Sequence, residues 1–340
     1  MSTTRPRAQT VRSGEFERDA LLRQYRHPLF TLAMMILLCH ISVFAQPSAA
    51  IDLYNRANRE SARGNLDKAI ADYRQALKTS RLRIDEKSNQ DFSEGLNRMD
   101  SSVEDAAHII ANDTFTAKVY TNCAIVHYRK GQIDEAIADL NAALRINPGL
   151  VAAYLARGVA RRAKGQFQDA LADFDRVLAI NGQLVEAYND RADVRLDMGD
   201  FEGALADLSR ALVLNPRFPG TYYQLGYARI GQRDFGAAIM NFDKAIQLDS
   251  KMAGAYQGRG TAQMARGELK IAIADFDRAL AINPKSAEAY ENRGLAFLIL
   301  GKTSKAETNF QRCLSLKPQL EPDLRRRIQL AKELRVGSMR

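Results

Sequence analysis

From residue 117 onward, the apolar and small positions of this chain recur every 34 residues. Tyr120, Tyr154, Tyr188, Tyr222, Tyr256 and Tyr290 form one series, and Ala136, Ala170, Ala204, Ala238, Ala272 and Ala306 a second. Leu140, Phe174, Leu208, Phe242, Phe276 and Phe310 form a third. Pro148, Pro216, Pro284 and Pro318 share a fourth lattice, with Gly182 and Ser250 in its two other places. One period shows what the pattern dictates. In its first half Tyr154, Gly158 and Arg161 stand at helical spacing, and Gly165 ends that helix because glycine enters the left-handed region at no steric cost. In its second half Phe167, Ala170, Leu171, Phe174, Val177 and Leu178 make a stripe with a period near 3.6. Proline then stops the second helix. Gly158 and Ala170 are small where two helices must pass closely, so each period predicts an antiparallel helical hairpin.

A fixed period of this length is the signature of a repeat array. The set Tyr120, Ala124, His127, Ala136, Leu140, Ala143, Pro148, repeated as Tyr256, Gly260, Gln263, Ala272, Phe276, Ala279, Pro284, resembles the tetratricopeptide repeat family. Six units begin near Ala117, Val151, Val185, Pro219, Ala253 and Ala287. An earlier one near residues 50–80 keeps Ala57, Gly64, Ala69, Tyr73 and Ala76. The resemblance implies an all-α fold: a right-handed α-solenoid superhelix of about seven antiparallel hairpins, close to one full turn. The domains expected are a leader over 1–45, a first repeat over 46–83, an acidic insertion or degenerate repeat over 84–116, six tandem repeats over 117–320, and a capping helix with a basic tail over 321–340.

A second regularity crosses each hairpin. Arg56, Arg157, Arg191 and Arg259 precede Asp72, Asp173, Asp207 and Asp275 by sixteen residues, and where Leu225 replaces the arginine, Asn241 replaces the aspartate. Covariation of this kind predicts a charge-assisted pair between the two helices. Cys123 with Asp139, and Arg293 with Asn309, depart from it.

Outside the lattice, Glu321-Pro322-Asp323 opens a helix whose apolar face is Leu324, Ile328, Ala331 and Leu334, as a cap requires. Its three arginines, Arg325 to Arg327, are expected largely outside. Residues 84–116 carry eight acids against Lys87 and Arg98, and only Val103 to Ala111 reads as a short helix. Leu29 to Phe44 is sixteen residues without a formal charge, flanked by Arg23 and Arg26 before and by small residues after. That is the layout of a secretory signal with cleavage after Ala45, or of an uncleaved anchor. Export to the periplasm or beyond, or tethering at the inner membrane through residues 29–44, is the expectation.

Charge removes one class of function. The net +9 is concentrated at the two ends, and the long middle carries too little to mark a nucleic-acid surface. Three cysteines do not make a disulfide framework. No phosphate loop, nucleophile elbow or zinc spacing is present. Cys123 and His127 lie four apart on one helix, which offers a metal or thiol chemistry as the alternative function, but no third ligand stands at a fixed spacing. No catalytic residue, cofactor or metal is therefore expected, and the chain reads as a binding protein.

In the family the first helix of each hairpin lines an inner groove. The inward positions here include Asn122, Ile125, Arg129, Ala156, Val159, Gln224, Tyr227, Gly258, Thr261, Asn292 and Leu295. Glu186, Asp190, Asp193 and Asp197 fall at offsets 0, 4, 7 and 11 on one helical face. This groove suits a protein or peptide partner with at least one basic residue. Self-assembly through the acidic segment and the basic tail is the architectural alternative.

Overall fold

A computed structural model describes residues 49–94 and 102–337. The apolar segment at 29–44, with Cys39, lies outside the described residues. Every described element is helical: fifteen α-helices and one short 3-10 turn. None of the described helices is long and apolar enough to cross a membrane. The chain divides into two compact units, residues 1–98 and 99–340.

In the first unit α1 (Ala49–Ala62) turns at Gly64, whose φ is +84°, and pairs with α2 (Leu66–Glu94). Ala57, Ala69, Ala76 and Tyr73 form the seam, with the Tyr73 hydroxyl donating to Asn58 Oδ1. Arg56 donates to both oxygens of Asp72 at 2.7 and 2.6 Å.

The second unit holds six hairpins, numbered here two to seven. They are α3 (Ser102–Arg129) with α4 (Ile133–Ile146), α5 (Val151–Ala163) with α6 (Phe167–Ile180), and α7 (Val185–Asp197) with α8 (Phe201–Leu214). Then come α9 (Pro219–Gly231) with α10 (Phe235–Leu248), α11 (Ala253–Ala265) with α12 (Leu269–Ile282), and α13 (Ala287–Ile299) with α14 (Thr303–Leu316). A 3-10 turn, Pro318–Leu320, leads into the capping helix α15 (Glu321–Gly337).

The local causes repeat with the period. Gly131, Gly165, Gly199, Gly267 and Gly301 close the first helices at φ near +78°, a region open to glycine without strain. In hairpin five the same place is held by Arg233, at φ +62°. The side chains of Asn147, Asn181, Asn215, Asp249 and Asn283 each accept the backbone N–H two residues on. That Asx-turn is why Asn or Asp precedes the proline lattice. The lattice alanines from Ala136 to Ala306 are fully buried. The rings at the third series lie on glycine: a Cβ at Gly158 would sit 2.7 Å from Phe174, and one at Gly226 or Gly258 within 2.5 Å of Phe242 from either side. Closeness of the two helices is thus set by missing side-chain atoms.

Two elements differ from the sequence reading. The segment over 84–116 is more helical than its composition suggests: α2 runs on to Glu94 and α3 begins at Ser102. No proline or glycine interrupts either helix. In the cap, Leu324 and Ala331 are buried as expected, but the arginine triplet is divided. Arg325 and Arg326 stay exposed, whereas Arg327 turns inward to Glu291 Oε1 at 2.6 Å and Asn292 Oδ1 at 2.9 Å.

Within this unit, the first helix of each hairpin touches the first helix of the next, from α3 to α13. Among the described residues no comparable contact joins successive second helices. An array packed more tightly along one side curves toward that side, so the first helices form its inner wall.

Candidate peptide-binding groove

The arginine lattice positions the wall. The Nε and Nη2 groups of Arg157, Arg191 and Arg259 grip Asp173, Asp207 and Asp275 of their own hairpins. Their Nη1 groups reach sixteen residues back, to Asn141, Asp175 and Asp243 of the hairpin before. Arg293 does the same with Asn309 and Asp277, so the amide there keeps the pattern rather than breaking it. Each of these guanidiniums also lies over the lattice tyrosine three residues earlier, 5.4 to 5.7 Å from its ring centre. The Asp-Phe-Asp triplets are thereby explained: the first aspartate closes its own hairpin, and the second receives the next hairpin's arginine. The second contact was legible in the same numerals, sixteen positions in the other direction.

Hairpin five is the exception. Leu225 is buried against Ala192 and Leu208, and both acids an arginine there would need are absent: Asn241 stands on one side and Ser209 on the other. Asn241 instead donates to Ala237 O within its own helix.

Two adjoining clefts open on the wall where hairpins four and five meet. The first, about 220 Å³, is lined by Glu186, Asn189, Asp190, Asp193, Phe218, Gly220, Tyr223 and Gln224. The second, about 520 Å³, extends it along Arg162, Asp193, Asp197, Tyr227 and Ile230. Six of the eight residues expected from the lattice, Glu186, Asp190, Asp193, Asp197, Gln224 and Tyr227, are brought together here. The other two are not. Asn122 lies on α3, three hairpins away in chain order from Gln224, and is half-buried. Asn292 is buried beneath Arg327, which the capping helix places over that stretch of wall.

The four acids have separate roles. Arg162, from the preceding hairpin, donates to Asp193 at 2.7 Å and to Asp197 at 2.5 Å. Gln224 Nε2 occupies the second oxygen of Asp193 at 2.7 Å and also reaches the Asn189 carbonyl. Asp193 and Asp197 are therefore wiring between hairpins. Glu186 is exposed, and Asp190 accepts no hydrogen bond among the described residues, so these two face the cleft with their charge unspent. Burial, reinforced by the neighbouring Asp193 charge, pushes the Asp190 carboxyl up to about 6. Burial also raises the Asp193 carboxyl and holds the Tyr227 phenol neutral.

Asn189 was not expected from the sequence. It is 5% exposed, its Oδ1 accepts from buried Thr221, and its Nδ2 has no hydrogen-bond partner. The Gln224 Oε1 is likewise buried and unpartnered. A buried amide without partners costs free energy of about 1–3 kcal/mol each, which an incoming polar group would recover. Phe218 and Tyr223 supply the apolar walls.

Comparison with known proteins agrees with the repeat fold. A family model described as a TPR repeat matches residues 124–161, 192–232 and 260–301, and one described as a tetratricopeptide repeat matches 219–252 and 287–320. No curated protein matches the sequence. A tetratricopeptide repeat protein from Parabacteroides merdae superposes with a TM-score of 0.62 at 17% identity, covering 85% of this chain and 99% of that one. A chain of the APC/C hetero-tetramer Cut9–Hcn1 gives 0.58 at 17% identity, over 81% of this chain and 55% of that one. The Pseudomonas aeruginosa protein pilF gives 0.51 at 17% identity, over 59% and 92%. At these identities the likeness is one of fold.

Proposed function

We propose, on the premise that this chain carries tetratricopeptide repeats, which generally mediate protein–protein interaction, that it is a non-enzymatic scaffold of the cell envelope. Its partner is a protein segment seated along the inner wall, with a lysine or arginine entering the cleft between hairpins four and five. One observation carries the reading: among the described residues Asp190 and Glu186 stand without ion-pair partners, beside the unmet amide atoms of Asn189 and Gln224. A cationic head fits the carboxylates, and its aliphatic stem fits Phe218 and Tyr223. The envelope location rests on the leader pattern of residues 29–44.

A fixed-length peptide library with one varied central position tests the site. Peptides with central Lys or Arg are expected to be selected, and Asp190→Asn is expected to weaken them at least tenfold. Selection of peptides without a basic residue, or equal binding by the variant, would discard the reading.

A further inference from the structure

Hairpin two departs from the arginine lattice in a way that the groove does not use. In hairpins three and four, two arginines of the first helix converge on the buried aspartate of the second. Arg157 and Arg161 meet on Asp173, and Arg191 and Arg195 on Asp207. The equivalent places in hairpin two hold Cys123 and His127, with Asp139 opposite. Two fixed cations are replaced by a thiol and an imidazole at the same convergence point.

The geometry points to a site for a thiophilic divalent cation, of which zinc is the natural occupant, held by Cys123 Sγ, His127 Nδ1 and an Asp139 carboxylate oxygen. This does not rest on the groove reading, because none of the three lines either cleft. The three donor atoms all lie within 4.8 Å of one another. Zinc bonds of about 2.3 Å to sulfur and about 2.0–2.2 Å to nitrogen and oxygen place such donors roughly 3.3–3.8 Å apart, so the cluster needs only a small contraction. His127 Nδ1 lies 3.1 Å from Asp139 Oδ2 and yet has no hydrogen-bond partner. Cys123 and His127 are 2% and 3% exposed, which keeps the ion from bulk water, while the Asp139 side chain, at 21%, reaches solvent on one side.

The charge has the same sign as in the neighbours. With Cys123 as the thiolate, a divalent ion sets one net positive charge against Asp139, where the arginine pairs set two against Asp173 and Asp207. On binding, the Cys123 sulfur–proton bond is exchanged for a sulfur–metal bond, and the proton leaves to solvent. Affinity therefore falls with falling pH. The sequence hid the third ligand because Asp139 comes from the other helix, sixteen residues on, and only hairpin closure brings it to the pair.

The test uses the reduced, chelator-stripped full chain and Co²⁺ as a spectroscopic probe. One equivalent should produce a thiolate-to-cobalt charge-transfer band that one equivalent of Zn²⁺ abolishes. Cys123→Ser should remove the band, His127→Gln should weaken binding at least tenfold, and Cys313→Ser should leave the spectrum intact. Zn²⁺ should raise the melting temperature of the wild type and of Cys313→Ser but not of Cys123→Ser, with helical circular dichroism confirming that each variant is folded. The inference fails if folded wild type gives no charge-transfer band. It also fails if Cys123→Ser still takes up one Zn²⁺ as tightly as wild type, or if the band follows Cys313.

Discussion

Replacing Arg191 with leucine tests whether the arginine lattice is a real constraint or an ornament of the surface. Arg191 is 17% exposed in its side chain and Asp207 3%, and the same guanidinium holds Asp175 of the preceding hairpin and covers Tyr188. Removing one member of a buried ion pair costs about 3–5 kcal/mol when the other charge is left alone. Here Arg195 still donates to Asp207, and leucine fills part of the space, so the expected loss is about 2–3 kcal/mol. Hairpin five supplies the control, because it carries Leu225 with Asn241 and Ser209 in the partner places. Importing that set as Arg191→Leu, Asp207→Asn and Asp175→Ser removes the stranded charge, and the deficit should shrink to below about 1 kcal/mol. Urea titration followed by circular dichroism reads the totals, and amide exchange localises the loosening to hairpins three and four. A triple variant no more stable than the single one, or a single variant within about 0.5 kcal/mol of wild type, would refute the reasoning.

Two further outcomes follow from other residues. The folded Asp190 carboxyl binds its proton near pH 6 and the unfolded one near 3.8, so the folded state is favoured by protonation. That advantage is complete below about pH 4 and is lost as pH rises through 6, so Asp190→Asn should be more stable than wild type at pH 7.5 by roughly 1 kcal/mol, allowing for solvent screening. Urea titrations at pH 4 and 7.5 should show the difference vanish at the lower value; a constant difference would refute the assignment. Arg233→Gly should raise stability by about 1 kcal/mol, since the left-handed backbone there costs an L-residue more than it costs glycine. A thermal melt checks the sign.

The period made the fold legible because each hairpin is built by the same contacts and prints them again 34 residues later. The turn glycines, the buried alanines and the Arg–Asp pairs across each hairpin could all be read as arithmetic on residue numbers. What lay between hairpins was harder. Arg162 joins Asp193 and Asp197 across a gap of 31 and 35 residues with no companion series, so four acids on one face read as a uniform charged stripe when two of them are tied. Asn189 escaped notice because an amide on the buried side of a helix has no compositional mark. Asn292 was placed on an open wall since nothing in the repeat says that Arg327 of the following helix folds over it. The length of α2 and α3 was hidden by their acidic composition, which speaks for solubility and is silent about helix length.

Stiffness along the array is uneven as a result of Leu225. Hairpins four, six and seven are each fastened to their predecessor by a guanidinium that spans two layers, but hairpin five meets hairpin four through Leu225 packing and through hydrogen bonds of the uncharged Gln224 and Thr221 side chains. Hydrogen bonds from an amide and a hydroxyl give way at lower cost than a forked ion pair between two charges. A coil with one soft turn bends at that turn, and this one borders the cleft that holds Asp190, so the width of the opening is the dimension of the wall most easily adjusted to what enters it.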